Sequence, residues 1–357
     1  MSFVIILFEK SCQTRPDILA SLYLHFEIST MLQKIKIDRF VLAIILSVIM
    51  AYIFPQLGAK DSPVPLDTIG SIGISLIFFF YGLSLENEAI KNGLKNWKLH
   101  ITVHASTFIL FPVLIIIFYP FVQNSEYELM WLSFLFLAAL PSTVSSSVVM
   151  VSLAKGNLPG AIFNASISGI LGIIFTPFWM MLFIKETDVA IDFSQIYFQL
   201  LTEIVLPLTA GLLLRRFLSS WAKRNKRTLD LFDKFIILLI VYKSFVHSFE
   251  ENIFSNLNVL DLIILVVLVL VLFFVVYNLT GWIGKKLKFN HADQITNQFC
   301  STKKSLVHGT VFSEALFAGS GIIGILLLPL MIYHALQILI ISIIATKIGE
   351  EKSEKNI

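Results

Sequence analysis

Ten apolar runs, each long enough to cross a bilayer as an α-helix, constrain this chain more than any other feature. They lie at about 38–55, 68–85, 99–122, 128–152, 158–184, 193–217, 230–248, 257–280, 291–317 and 321–346. A hydrocarbon core of roughly 30 Å needs about 20 residues of helix. Backbone groups cannot be left unpaired in lipid, so these runs predict spanning helices. Composition agrees, with 56% hydrophobic and only 14% charged residues, where soluble domains run near 25% charged. The expected class is an all-α polytopic membrane protein with ten transmembrane helices in the lipid bilayer.

Basic residues give the orientation. With the N-terminus in the cytoplasm, the inside loops hold nineteen, running from Lys34, Lys36 and Arg39 to Lys347, Lys352 and Lys355. The outside loops hold only Lys60 and Lys185. That bias follows the positive-inside rule and puts both termini in the cytoplasm, as expected for a bacterial inner-membrane protein. Residues 1–30 stand apart. Phe3 to Phe8 is too short to span, without the basic start or cleavage site of a signal peptide. Met31 with the basic residues after it resembles a native start, so 1–30 are read as an upstream extension.

The basic stretch Arg215 to Arg227 is read as the longest inside loop, between segments six and seven, and the chain is read as two five-helix halves. An odd number of spans per half forces opposite topologies. Residues 31–220 then hold the first repeat and segment six, 221–348 the rest of the second repeat, and 349–357 a cytoplasmic tail. Two strings recur: Ser142-Thr143-Val144-Ser145-Ser146 with Gly169-Ile170-Leu171-Gly172 and Pro177, and Ser301-Thr302-Lys303-Lys304-Ser305 with Gly321-Ile322-Ile323-Gly324 and Pro329. Such duplication predicts an inverted repeat, a common construction among secondary transporters.

Polar residues inside the spans locate the chemistry. Pro141 precedes five hydroxyls in six positions, Ser142, Thr143, Ser145, Ser146 and Ser147. Proline removes a backbone donor, and hydroxyls compete for the freed groups, so segment four is predicted to break at mid-membrane. Exposed oxygens there suit a hard cation; the alternative is close packing through small residues. Segment five adds Asn164, Ser166 and Ser168, with Asn164 and Ser168 on one face. Segment nine carries Lys303 and Lys304 among Ser301, Thr302, Ser305 and His308. Two lysines inside a span cost roughly 2.5–3.5 kcal/mol each on insertion scales. A second broken helix with buried ammonium groups, able to bind an anion, is expected. Glu203 and Lys243 are read as a structural pair, Glu314 as solvated, and His104 as a candidate polar contact on segment three.

Other classes find no support. Cys12 and Cys300 form no metal or redox motif. No basic stripe with interleaved aromatics points to nucleic acid. Metalloprotease, serine-hydrolase and P-loop signatures are missing, so no enzyme and no organic cofactor is expected.

Pro141 to Ser147, then Lys155-Gly156-Asn157 and Thr176-Pro177, resemble the bile acid:sodium symporter family. Phe299 to Leu306 and Leu328 to His334 resemble its divergent branch, which includes solute carrier family 10 member 7 and bacterial relatives. The resemblance implies a panel domain of segments one, two, six and seven. Segments three to five and eight to ten would form a core domain in which the discontinuous segments four and nine cross. In the family's well-described branch two sodium ions sit behind the crossing, and by position Ser146, Ser147, Asn164 and Ser168 are the candidate ligands of a sodium ion on this chain, where two sites are not implied. His104 falls near a glutamine position of some relatives. The family's segment-nine Glu and Gln are replaced here by the stretch Thr302 to Leu306, so a lysine charge could stand where a sodium ion sits. The serine-rich breaks and the lysine pair motivate the expected function, a secondary transporter of a small organic anion coupled to sodium or protons. The alternative is a non-transporting membrane regulator of ion homeostasis or envelope synthesis.

Overall fold

The computed structural model describes residues 39–59, 62–84, 96–143, 145–183, 198, 201–250, 252, 258–318 and 320–354. The 1–30 extension lies outside them. All regular elements among these residues are helical. They are α1 (Arg39–Ile53), α2 (Leu66–Ser84), α3 (Trp97–Ala105), α4 (Phe111–Ile116), α5 (Tyr119–Val122), α6 (Glu128–Ala139) and α7 (Ser145–Leu153). Then come α8 (Leu158–Phe183), α9 (Leu206–Arg224), α10 (Lys226–Glu250), α11 (Val259–Lys286), α12 (His291–Thr302), α13 (Leu306–Phe317) and α14 (Ile323–Glu354). Ala43–Ile357 form one compact unit, within which every contact below lies.

Five helical runs among the described residues are long and apolar enough to cross a membrane: Leu66–Ser84, Trp97–Ile116, Leu158–Phe183, Val259–Lys286 and Ile323–Glu351. Segments four and nine are instead split, α6 from α7 and α12 from α13. Neither half exceeds 12 residues, about 18 Å of helix, so neither spans alone.

Each irregularity has a local cause and a remote remedy. A π-helical turn, Ser106–Leu110, joins α3 to α4. Pro112 follows it and has no N–H to offer the Phe108 carbonyl. Trp179 Nε1 donates to that carbonyl at 2.7 Å instead. At the first break, α6 ends at Ala139 and the chain runs extended through Leu140. The last carbonyls of a helix lack internal partners. Here Ala139 O accepts from Thr176 Oγ1 at 2.9 Å, and Ala138 O and Leu140 O accept from Lys304 Nζ at 2.6 and 2.8 Å. At the second break, Thr302 O accepts from Tyr333 Oη at 2.6 Å. The Gln337 amide closes both ends of Lys304's peptide units, accepting from Lys304 N at 2.8 Å and donating to Lys304 O at 2.7 Å.

Two expectations change. The stretch 215–227 is not a loop: α9 continues to Arg224, α10 starts at Lys226, and Asn225 alone separates them. Asn225 caps α9, its N–H and its side-chain amide both donating to Trp221 O. The two S-T-x-x-S strings are also out of structural register. Ser142 and Thr143 lie in the non-helical first break, whereas Ser301 and Thr302 are the last residues of α12. The match between the strings therefore carries less weight for a duplication than their likeness implies.

Candidate functional site at the two helix breaks

The breaks touch. Ser305 N donates to Pro141 O at 2.9 Å, so the irregular backbone of one half of the chain is bonded to that of the other. Unwound backbone at membrane depth persists only where protein or a polar cavity satisfies it.

Around the first break the hydroxyls converge. Thr143 Oγ1 lies 2.7 Å from Ser146 Oγ and 3.0 Å from Ser147 Oγ. Ser142 Oγ lies 3.5 Å from Ser147 Oγ. Ser168 Oγ, from α8, accepts from Ser142 N at 2.9 Å. Five of the expected residues thus form one oxygen cluster at the start of α7. Ser145 opens that helix, and its side chain lies outside the described residues.

Other expected residues are turned elsewhere. Asn164 Oδ1 meets His100 Nδ1 at 3.0 Å, and its amide donates to Gly160 O at 2.9 Å. Ser166 Oγ donates to Ile162 O of its own helix. Thr302 Oγ1 bonds Gln298 O, and Ser301 Oγ donates to Asn297 Oδ1. Hydroxyls bonded back into their own helix are already satisfied. His104 stacks on Phe108, its ring nitrogens without a hydrogen-bond partner among the described residues.

The two lysines behave differently. Both are wholly buried. They sit in the non-helical link between α12 and α13, Lys303 having ψ 145, so helical spacing does not govern their directions. Lys304 Nζ donates to three carbonyls, Thr107, Ala138 and Leu140, at 2.6 to 2.9 Å. It also lies 4.1 Å from the Phe111 ring centre, a cation–π distance. The ammonium fills a cage that the π turn and the first break create. Lys303 Nζ has no hydrogen-bond partner among the described residues. A buried unpaired amine is costly, so Lys303, unlike Lys304, has hydrogen-bonding capacity left unused.

Ser305 caps α13, accepting from His308 N and meeting His308 Nδ1 at 2.9 Å. His308 Nε2 and Tyr81 Oη both crowd Gly169, where an added Cβ would stand 2.9 Å and 2.5 Å from them. Tyr81 Oη donates to Ser166 O at 2.6 Å, joining α2 to α8.

Discontinuous helices recur at the binding sites of many membrane transporters, and a model of the SBF-like CPA transporter family matches residues 38–350. The chain belongs to that family. It is 36% identical over 321 residues to an uncharacterized Pseudomonas aeruginosa protein, covering 89% of this chain and 94% of that one. YfeH of Escherichia coli, named as a candidate symporter, is 34% identical, covering 87% of this chain and 92% of its own length. Sodium/bile acid cotransporter 7-B of Xenopus laevis is 34% identical, covering 89% and 93%. At family level the chain is an integral membrane transporter, as the family resemblance implied.

Several residues at the site escaped the sequence reading. His100 stands one turn before His104 and is the one that meets Asn164. Gln337 is a lone amide in an apolar segment, and polar groups inside a span deserve equal notice with charged ones. Tyr81, Tyr333 and Thr107 carry no local signal, because their roles arise from distant backbone. Lys243 pairs not with Glu203 but with Asp67 and with Glu314, the latter at 2.7 Å. Glu314 is buried rather than solvated.

Proposed function

We propose that this transporter moves a small organic anion by alternating access of a core against a panel domain. The two breaks would be the crossing point of discontinuous helices in an inverted repeat of five plus five. Lys303 carries the reading: its amine is buried with no hydrogen-bond partner among the described residues, beside the junction of the two breaks. An anion entering there would gain a charge-assisted bond that no protein acceptor now competes for. Lys304 already has three acceptors and acts as a fixed internal cation, standing where a coupling ion would otherwise be needed. The hydroxyl cluster of Ser142, Thr143, Ser146, Ser147 and Ser168 remains an oxygen set suited to a single sodium ion.

The inward-facing basic residues favour an inner membrane with both termini in the cytoplasm. The test is a thermal-stability screen against small organic anions in sodium and in choline buffers, followed by uptake into proteoliposomes. A ligand that binds only the folded protein raises its melting temperature. Lys303→Gln should abolish both the shift and the uptake while leaving the protein folded. Uptake of every transported anion unchanged in Lys303→Gln would overturn the assignment.

A further inference from the structure

A second polar site lies away from the breaks, where α2, α10 and α13 meet. A cavity of about 130 Å³ is lined by Asp67, Lys243, Ser244, His247, Glu314 and Gly321, with Ile323. Lys243 Nζ pairs with Glu314 Oε1 at 2.7 Å and with Asp67. Glu314 Oε2 is buried and has no hydrogen-bond partner among the described residues. The same holds for Ser244 Oγ, whose residue is 3% exposed.

The neighbouring turn shows what a purely structural serine does here. Ser248, four residues on, donates to Gly321 O at 2.7 Å and accepts from Gly324 N at 3.1 Å. Helical hydroxyls also commonly bond back to their own carbonyls, as Thr280 does to Val276 O at 2.8 Å. Ser244 does neither. Buried polar groups are ordinarily paired, so two orphan buried oxygens, on two of the residues that line one cavity, point to a ligand.

We propose that this cavity is a sodium site, formed by Glu314 Oε2, Ser244 Oγ and the Asp67 carboxylate. Three features favour that ion. The donors are all hard oxygens, which suit alkali and alkaline-earth cations rather than softer metals. Gly321 O keeps a second lone pair beside the bond from Ser248. Two carboxylates face one ammonium, leaving one formal negative charge among the three, which matches a monovalent better than a divalent ion. The site is separate from the hydroxyl cluster at the first break, and its existence does not depend on which anion is carried.

The experiment is thermal unfolding of the purified full-length protein in sodium chloride against choline chloride at equal ionic strength. Wild type, Ser244→Ala, Glu314→Gln and Ser147→Ala are compared. Ser244→Ala should raise the sodium concentration for half-maximal stabilisation at least threefold, and Glu314→Gln should remove the response from this site. Ser147→Ala, at the break, should leave that component in place. If Glu314→Gln fails to fold, Ser244→Ala decides. A sodium response unchanged by Ser244→Ala, or lost only in Ser147→Ala, overturns the proposal. The latter result would leave the break as the sodium site. No sodium response in wild type overturns it as well.

Discussion

The two helix breaks solve one problem by opposite means. Unwinding a helix at membrane depth exposes carbonyls that lipid cannot satisfy. The first break, after α6, borrows donors from elsewhere: Thr176 for one carbonyl and the Lys304 ammonium for two more. The second break, between α12 and α13, supplies that ammonium and is itself closed by neutral groups of α14, Tyr333 and Gln337. One break is therefore lined by hydroxyls and the other by amines. Adjacent residues with the same side chain can thus have unlike roles, because what a buried charge does depends on its acceptors.

Lys304→Met should break that arrangement most severely. It orphans three carbonyls, at about 1–3 kcal/mol for each unsatisfied group. A loss of folded, monodisperse protein is expected, measured by size exclusion and melting temperature. Lys303→Met should leave stability unchanged or raised, since replacing an unpaired buried amine removes a desolvation penalty. Equal effects of the two substitutions would erase the asymmetry.

Gln337→Leu comes next. It unpairs both the N–H and the C=O of Lys304, so a loss of about 2 kcal/mol or more is expected in thermal or denaturant unfolding. Gly172→Ala sharpens the comparison from the other side. An added Cβ would stand 2.8 Å from Pro141 Cγ, forcing the first break to shift at about 1–3 kcal/mol. Tyr333→Phe should cost about 1 kcal/mol, the net worth of one hydrogen bond to Thr302 O. Ser142→Ala should have the smallest effect on stability, under about 1 kcal/mol, because Thr143 still bonds Ser146 and Ser147. A larger loss in Ser142→Ala than in Tyr333→Phe would mean that the hydroxyl cluster supports the fold.

Much of the architecture was legible along the chain. Apolar runs of spanning length needed only composition and spacing. The breaks announced themselves through Pro141 and through two lysines where lipid would reject them. Register was harder to read. The basic stretch 215–227 looked like a loop because charge density resembles one, yet Asn225 alone interrupts the helices. The repeated S-T-x-x-S string looked like a repeat in register, yet one copy starts in a break and enters α7 while the other starts in α12 and ends in a break.

By itself, then, the sequence determined that this is a helical membrane protein, that segments four and nine break, and that cations lie buried in the second break. Those properties depend on local composition, backbone chemistry and the cost of charge in lipid. Tertiary structure alone decided that Lys304 is caged while Lys303 Nζ has no hydrogen-bond partner among the described residues, that Asn164 meets His100 while Ser168 joins Ser142, and that Lys243 joins Asp67 to Glu314. Each of those outcomes depends on which carbonyl or carboxylate another helix presents within about 3 Å. That distance is set by how helices pack, which no spacing along a single segment encodes.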